Sequence, residues 1–537
     1  MTGTRIQPET SPVAILSPNP RRRWLPWLEL LTALFALLPI ALFLTASIGR
    51  LGYPFPLEQL EGSMLLAADR IAHGLPIYVR PNFSFIPYMY APAYYYVSGW
   101  VVRLLGARFF SLRLISLFST CVSMALIYLV VLFDTPGTRK RRNLAAIAAA
   151  GLYAAAYPWT REWFDLGRLD SFYILLLLLA LLCTRRLHPV FAAVAWTAAF
   201  LAKQTIFPVA LVMLCVDWKR PRRLLLGVGS FLLMTAVCTR LLDHATHGWF
   251  LFYAFTIPHA NADLLLRPAV FYLPSQLIAP FGVAIVLALV AWAWTRPSLA
   301  NSATRFYLLA AISLFGLCWF LQAHAGATSN TPMPAYAILA IIFGISFGRL
   351  DAMFSLSLRE GARIFLLAAI AIPLVSFAYN PRDFIPHTDL LASQQQLIAW
   401  MRGFSGDIFL PSNPYEGVMA GKQWHPDNAA LHDALRPDLP GVDEQVLAEI
   451  ATKIDQEKFD AIALDGTPAP ILSQQDWLPK DTMLRYPIVG IVPGSDVWDP
   501  FSPHPVYFLL PCREQALAIA KGWTLLETAG QSACSSH

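Results

Sequence analysis

The stretch 25–49, LPWLELLTALFALLPIALFLTASIG, stands directly behind Arg21-Arg22-Arg23 and carries a single charge, Glu29. A helix needs about 20 apolar residues to cross a bilayer, and arginines beside such a run stay on the cytoplasmic side. The run is longer than the apolar core of a cleaved signal peptide, about 7–15 residues, and no small-residue cleavage site closes it, so it reads as a signal anchor. Residues 1–24, rich in Pro, Thr and Ser without periodicity, read as a disordered cytoplasmic arm. The chain from about residue 50 onward is then delivered to the outer side.

The same pattern repeats along the chain. Arg223 to Leu242 and Tyr272 to Trp294 are nearly uncharged, and the 537 residues are 56% hydrophobic and 14% charged. Soluble domains carry about 45–50% apolar and about 25% charged residues, so a soluble enzyme is excluded. The net charge of +6 falls in short clusters between apolar segments, which is membrane topology and not a nucleic-acid surface. Those clusters are Arg139 to Arg142, Arg185 with Arg186, Lys219 to Arg223, Arg296 with Arg305, and Arg349 with Arg359 and Arg363. All are cytoplasmic together if the tyrosine-rich Pro92 to Leu105 lies on the outer surface as an amphipathic helix. Crossings then fall near 26–48, 112–132, 143–160, 170–184, 188–202, 204–217, 223–242, 272–295, 305–322, 332–348 and 362–378, about eleven, with the C-terminus outside.

After Asn380 the composition turns soluble. Strand-like runs at Asp407 to Leu410, Phe459 to Leu464, Tyr486 to Val492 and Val506 to Leu510, with an amphipathic helix over Asp443 to Lys458, predict an α/β unit. The expected architecture is a membrane all-α helical bundle with outer-face amphipathic helices plus a C-terminal soluble α/β domain. Residues 25–379 form the transmembrane domain, with a first outer loop at 49–111, and residues 380–537 the periplasmic tail. Five cysteines lie in apolar segments as small hydrophobes, whereas Cys512 and Cys534 in the tail either pair or stay free.

Charged residues on the outer side are the candidates for chemistry. Leu57-Glu58-Gln59-Leu60-Glu61-Gly62 sets two carboxylates just past the first crossing, where the plain reading is solvated charge capping a surface helix. Trp163-Phe164-Asp165-Leu166-Gly167-Arg168-Leu169-Asp170 puts Arg168 and Asp170 at a helix mouth, where charge is costly and often functional, although an anchoring ion pair explains it equally well. Lys203 is the one cation of a tight turn between apolar helices, and snorkelling is its alternative. Tyr90 and Tyr94 suit a sugar-facing cleft or an aromatic belt. His324, Ser329 and Asn330 share a turn outside another helix.

These elements carry a resemblance over roughly residues 50–345. Glu61-Gly62, Gly74-Leu75-Pro76-Ile77-Tyr78, Tyr90-Ala91-Pro92-Ala93-Tyr94-Tyr95-Tyr96, Trp163 to Ser171, Phe200 to Thr205 and His324 to Tyr336 together resemble the bacterial C-type glycosyltransferases of the family-39 or mannosyltransferase-like kind. The resemblance implies a polyprenyl-phosphate sugar donor, a site at the outer face of the bacterial cytoplasmic membrane, and a general base in the first outer loop. Such families usually carry an Asp-Glu or Asp element there. Here Leu60 precedes Glu61, so Glu61 matches the base by its Glu-Gly element, with Glu58 a turn earlier as substitute.

Transfer from a lipid phosphate needs a base for the acceptor hydroxyl and positive charge for the departing phosphate. Glu61 and Asp170 are the expected catalytic carboxylates, either able to serve as the base, and Arg168 and Lys203 the expected phosphate ligands, with Glu58, Tyr90, Tyr94, Asp165, His324 and Asn330 around the substrate. Mg²⁺ or Mn²⁺ would suit phosphate and carboxylate oxygens, but no dense acidic cluster requires a metal. The acceptor, a lipid, glycan or protein, is not legible. A transporter or lipid flippase is the rival reading. It calls for ionisable groups in the middle of several helices and an internal repeat, whereas the charges here crowd at helix ends and no convincing repeat is present.

Overall fold

The structure is a computed structural model that describes residues 25–260, 264–324, 327–356, 360–436, 439, 443–465, 478–479, 482–491, 506–526 and 534. The expected cytoplasmic arm, residues 1–24, lies outside the described residues. Helices α1 (Leu25–Leu51), α2 (Glu61–Ala72), α3 (Ala93–Leu105), α4 (Phe109–Asp134), α5 (Arg139–Ala154), α6 (Leu169–Arg186), α7 (Pro189–Ala202), α8 (Phe207–Leu214) and α9 (Pro221–Ala245) are followed by long helices over Leu266–Thr295, Ser302–Gln322, Met333–Leu356 and Glu360–Ser376. Every expected crossing is largely helical. Among the described residues, however, only six helices are long and apolar enough to span by length and composition: α1, α4, α9, Leu266–Thr295, Ser302–Gln322 and Met333–Phe354. The count of about eleven is therefore not established.

Exposure agrees with a lipid surround. Leu225, Leu233 and Leu241 on α9 are 64–73% exposed. Rows of bare leucine are unfavourable in water by about 25 cal/mol per Å², and a bilayer removes that cost. Helix α3, with 13 residues, is too short to cross. It packs Tyr94, Tyr95 and Gly99 inward and exposes Trp100 and Leu104, as expected of a surface helix.

The charged residues sort to two ends. At one, Asp134 meets Arg185, Arg186 and the Tyr307 hydroxyl, while Asp351 and Glu29 hold Arg141, Arg363 and Lys140. Three of the basic clusters are thus represented at that end. At the other end the first loop (residues 52–108) and the loop between α5 and α6 fold over the bundle.

The tail closes over the first loop. Its sheet runs β1-β2-β4-β3-β5, with β1 (Asp407–Phe409) parallel to β2 (Phe459–Asp465) and the pairs among β2, β3 (Ile488–Ile491), β4 (Val506–Leu510) and β5 (Thr524–Leu526) antiparallel. The parallel pair needs a crossover, and the expected amphipathic helix, Asp443–Asp455, supplies it. β5 was not legible, being a three-residue edge strand. Cys512 and Cys534 are disulfide-bonded. Phe83 of the first loop stacks on His425 at 4.7 Å and meets Phe409 at 5.1 Å. Tyr415 rests on α2 at Gly62, where a Cβ would come 2.6 Å from that of Tyr415. Asp427, fully buried, accepts hydrogen bonds from Ser63 and, at 2.5 Å, from the Tyr88 hydroxyl.

Candidate functional site

Glu61 opens α2 and is completely buried, which overturns the picture of a solvated surface charge. Arg113, the fifth residue of α4, donates to Glu61 Oε1 at 3.1 Å and Oε2 at 2.7 Å, and also to the carbonyls of Tyr53 and Phe55, both at 2.6 Å. The Leu57 and Gly167 amides complete the carboxylate at 2.7 and 2.5 Å. Only glycine permits the last contact, because a Cβ at Gly167 would sit 2.9 Å from Leu112 Cβ and 3.2 Å from Glu61 Oε1. Burial acts to raise the Glu61 pKa, but Arg113 and the two amides outweigh it and hold the carboxyl below its ordinary range. Ser116 and Thr120, on the same face of α4 as Arg113, bond the carbonyls of Arg168 and Phe164 and fix the second loop.

Beside this sealed pair lies a second one. Arg50 sits 3.2 Å from Asp165, which also accepts from the Tyr157 hydroxyl, and 3.8 Å from Glu162. Asp165 therefore faces Arg50 and not Arg168. Burial raises its pKa, with Arg50 and Arg113 opposing.

Arg168 points the other way. It donates to Glu58 Oε2 at 2.7 Å and to the Tyr90 hydroxyl at 2.9 Å, and its guanidinium lies 4.8 Å from the centre of the Trp163 ring. Glu58 keeps 21% of its side chain exposed. Its Oε2 also takes the Leu60 amide, while Oε1 accepts no hydrogen bond among the described residues. Burial pushes the Glu58 carboxyl up despite Arg168.

Asp170, in the first turn of α6, accepts from Lys203 and from Asn330, both at 3.0 Å on Oδ1, so Arg168 and Asp170 are not an ion pair with each other. Asn330 in turn accepts from Thr328. His324 is half-buried against Phe320 with no hydrogen bond to Nδ1 among the described residues, and Tyr94 is buried near Phe172.

A cavity of about 780 Å³ opens beside these groups. Glu58 is the one expected site residue on its wall. Trp163, Gln276, Gln322 and Thr328 join it, and the Oε1 atoms of both glutamines are buried with no hydrogen-bond partner among the described residues. Arg161 and Glu162 also line it, and both adopt left-handed backbone, φ 47° and 61°. They close the turn after α5, where the Glu162 amide reaches back to the Tyr157 carbonyl at 3.2 Å. Glycine is usual in such a turn, and a non-glycine residue there costs on the order of 1 kcal/mol. Burial, opposed by Arg50 and helped by Asp165, brings the Glu162 carboxyl up to about 7.

The structure thus gathers Glu58, Glu61, Arg168, Asp170 and Lys203 at one end of the bundle, but only Glu58 of these faces the large cavity. Sequence reasoning passed over Arg50, Arg113, Arg161 and Glu162. A polar stripe inside an apolar helix, Arg113, Ser116 and Thr120 at helical spacing, was the available signal for Arg113. Among the described residues no three His, Cys, Asp or Glu side chains form a metal-ligand group.

No protein-family model matches the chain, and no curated protein matches it in sequence. Solved structures do. ArnT from Cupriavidus metallidurans bound to undecaprenyl phosphate superposes with a TM-score of 0.55 at 16% identity, covering 83% of this chain and 94% of that one. Its apo form gives 0.52 at 14% identity, covering 81% and 94%. Identity this low speaks for architecture alone: the chain shares its overall fold with ArnT.

Proposed function

We propose that the protein is a membrane glycosyltransferase that moves a sugar from a polyprenyl-phosphate donor to an acceptor hydroxyl at the outer face of the cytoplasmic membrane. The observation that carries this reading is the cavity, which brings to one volume of about 780 Å³ a carboxylate, Glu58, with an oxygen that accepts no hydrogen bond among the described residues, a cation, Arg161, and the polar side chains of Gln276, Gln322 and Thr328. Amide and hydroxyl side chains on a cavity wall suit the hydroxyls of a sugar. The neighbour of similar fold was crystallised with undecaprenyl phosphate, which supports a lipid phosphate as the carrier.

In this reading the acceptor oxygen attacks the anomeric carbon while the bond from that carbon to the phosphate oxygen breaks. Its proton passes to Glu58, and the bonding pair leaves with the polyprenyl phosphate. One displacement inverts the sugar carbon. Glu58 takes the role of base because it faces the cavity, whereas the two oxygens of Glu61 already accept four hydrogen bonds. Arg168 positions Glu58, and Lys203 with Asn330 holds Asp170 beside the α6 mouth. General-base removal costs about 10²–10⁴ in rate. The test is transfer by purified protein from a panel of polyprenyl-phosphate sugars, with and without EDTA to read any divalent-cation requirement. Transfer that Glu58→Gln lowers at least a hundredfold supports the reading, and no transfer from any donor contradicts it.

A further inference from the structure

Among the described residues, three of the arginines at the site end of the bundle are engaged. Arg50 faces Asp165, Arg113 clasps Glu61 and Arg168 binds Glu58. Arg161, exposed on the cavity wall, has no carboxylate within ion-pair distance among the described residues. It also occupies a backbone position that disfavours a side chain, as does Glu162 after it. A plain turn could be closed by glycine at both positions. Here both side chains are kept, one basic and one acidic, and both line the same cavity.

From this we infer that Arg161 and Glu162 form the subsite for the donor's lipid-linked phosphate, with Arg161 as the ionic ligand and Glu162 as a hydrogen-bond donor in its protonated form. The inference rests on the proposed transferase reading and adds the place where the phosphate sits. Arginine suits the task because its planar fork meets two phosphate oxygens at once. Glu162 answers a second need: an ionised carboxylate there would repel phosphate, whereas the protonated acid donates to it. Burial favours this state. Arg50 on α1 and Arg161 beside it oppose protonation, and Asp165 of the same loop favours it. Glu58 and Asp383 add acidity across the cavity. The carboxyl titrates at about 7, so phosphate affinity falls as pH rises through neutrality.

The experiment measures binding of undecaprenyl phosphate to the full-length protein in detergent by native mass spectrometry, at pH 6, 7 and 8, with inorganic phosphate as the second probe. Wild type should bind the lipid, more tightly at pH 6 than at pH 8, and inorganic phosphate at least tenfold more weakly. Arg161→Gln should lose about tenfold or more in affinity and Arg161→Lys much less. Glu162→Gln should remove the fall between pH 6 and 8, which separates the carboxyl from the phosphate's own ionisation near pH 6. Arg161→Gly relieves the backbone, so it should melt higher and yet bind more weakly. If it melts higher and binds as well as wild type, Arg161 is only a turn residue and the subsite is wrong. If wild type binds inorganic phosphate as tightly as the lipid, the lipid-linked source is wrong. If wild type binds no undecaprenyl phosphate at all, the transferase reading itself falls, and the subsite with it.

Discussion

Glu58 and Glu61 lie three residues apart in one loop and live in different environments. Glu61 is wholly buried and receives Arg113 twice and two backbone amides. Glu58 is partly exposed, receives Arg168 and one amide on a single oxygen, and faces the cavity. A carboxylate with every acceptor position filled can hold a loop together but has no lone pair left to take a proton. One with a free oxygen beside a cation can. The contrast divides this end of the molecule into a frame (Arg50, Arg113, Glu61, Asp165) and a working surface (Glu58, Arg161, Glu162, Trp163).

Breaking the frame should have the largest effect on stability. Arg113→Met leaves Glu61 buried without its counter-charge, and removal of one partner from a buried pair costs about 3–5 kcal/mol. Thermal unfolding in detergent reads this. A change under about 1 kcal/mol would mean that Glu61 is not held as described.

A second test sharpens the contrast through pH. The Glu162 carboxyl is raised to about 7 in the folded protein. A raised acid binds its proton more tightly folded than unfolded, so its contribution is full below the unfolded value and fades as pH rises through about 4.5 to 7. At 1.36 kcal/mol per unit the change is on the order of 3 kcal/mol, and Glu162→Gln should flatten that part of the stability curve. Glu61, held low, acts in the opposite sense: its contribution is lost as pH falls below the ordinary carboxylate range.

The tail contact gives a smaller effect. Asp427→Ala leaves Ser63 and Tyr88 without their shared acceptor, at about 1–3 kcal/mol. Tyr88 packs against Tyr90, which holds Arg168, so transfer should slow along with the loss of stability. Unchanged turnover would mean that the tail merely rests on the loop. Lys203→Met should do least to the rate, with both kcat and KM for the donor nearly kept, because Lys203 is held by Asp170 away from the cavity wall.

Much of the bundle was legible because uncharged runs of membrane-spanning length leave few alternatives, and the short α3 announced itself by length and aromatic content. The site was legible where a charge interrupts the end of an apolar run, as at Arg168, Asp170 and Lys203. It was not legible where partners are distant in sequence: nothing near Asp165 points to Arg50, and nothing near Glu61 says that Arg113 will close on it. The left-handed turn at Arg161 and Glu162 was hidden because the glycine that would mark it is absent. The tail's docking was hidden for a related reason. Asp427 looks like an ordinary N-cap, and its bonds to Ser63 and Tyr88 join residues more than three hundred positions apart.

The central claim is that Glu58 works and Glu61 frames, and paired glutamine variants test it most directly. Each keeps the shape of its side chain and removes only the charge. Turnover and melting temperature are measured for Glu58→Gln and Glu61→Gln on a donor that wild type uses. The expected result is that Glu58→Gln, which leaves the buried Arg168 without its carboxylate, melts lower yet stays folded and loses at least a hundredfold in turnover, while Glu61→Gln melts several degrees lower and, once folded at reduced temperature, keeps most of its rate. Full activity in Glu58→Gln, with activity abolished in a stably folded Glu61→Gln, would contradict it.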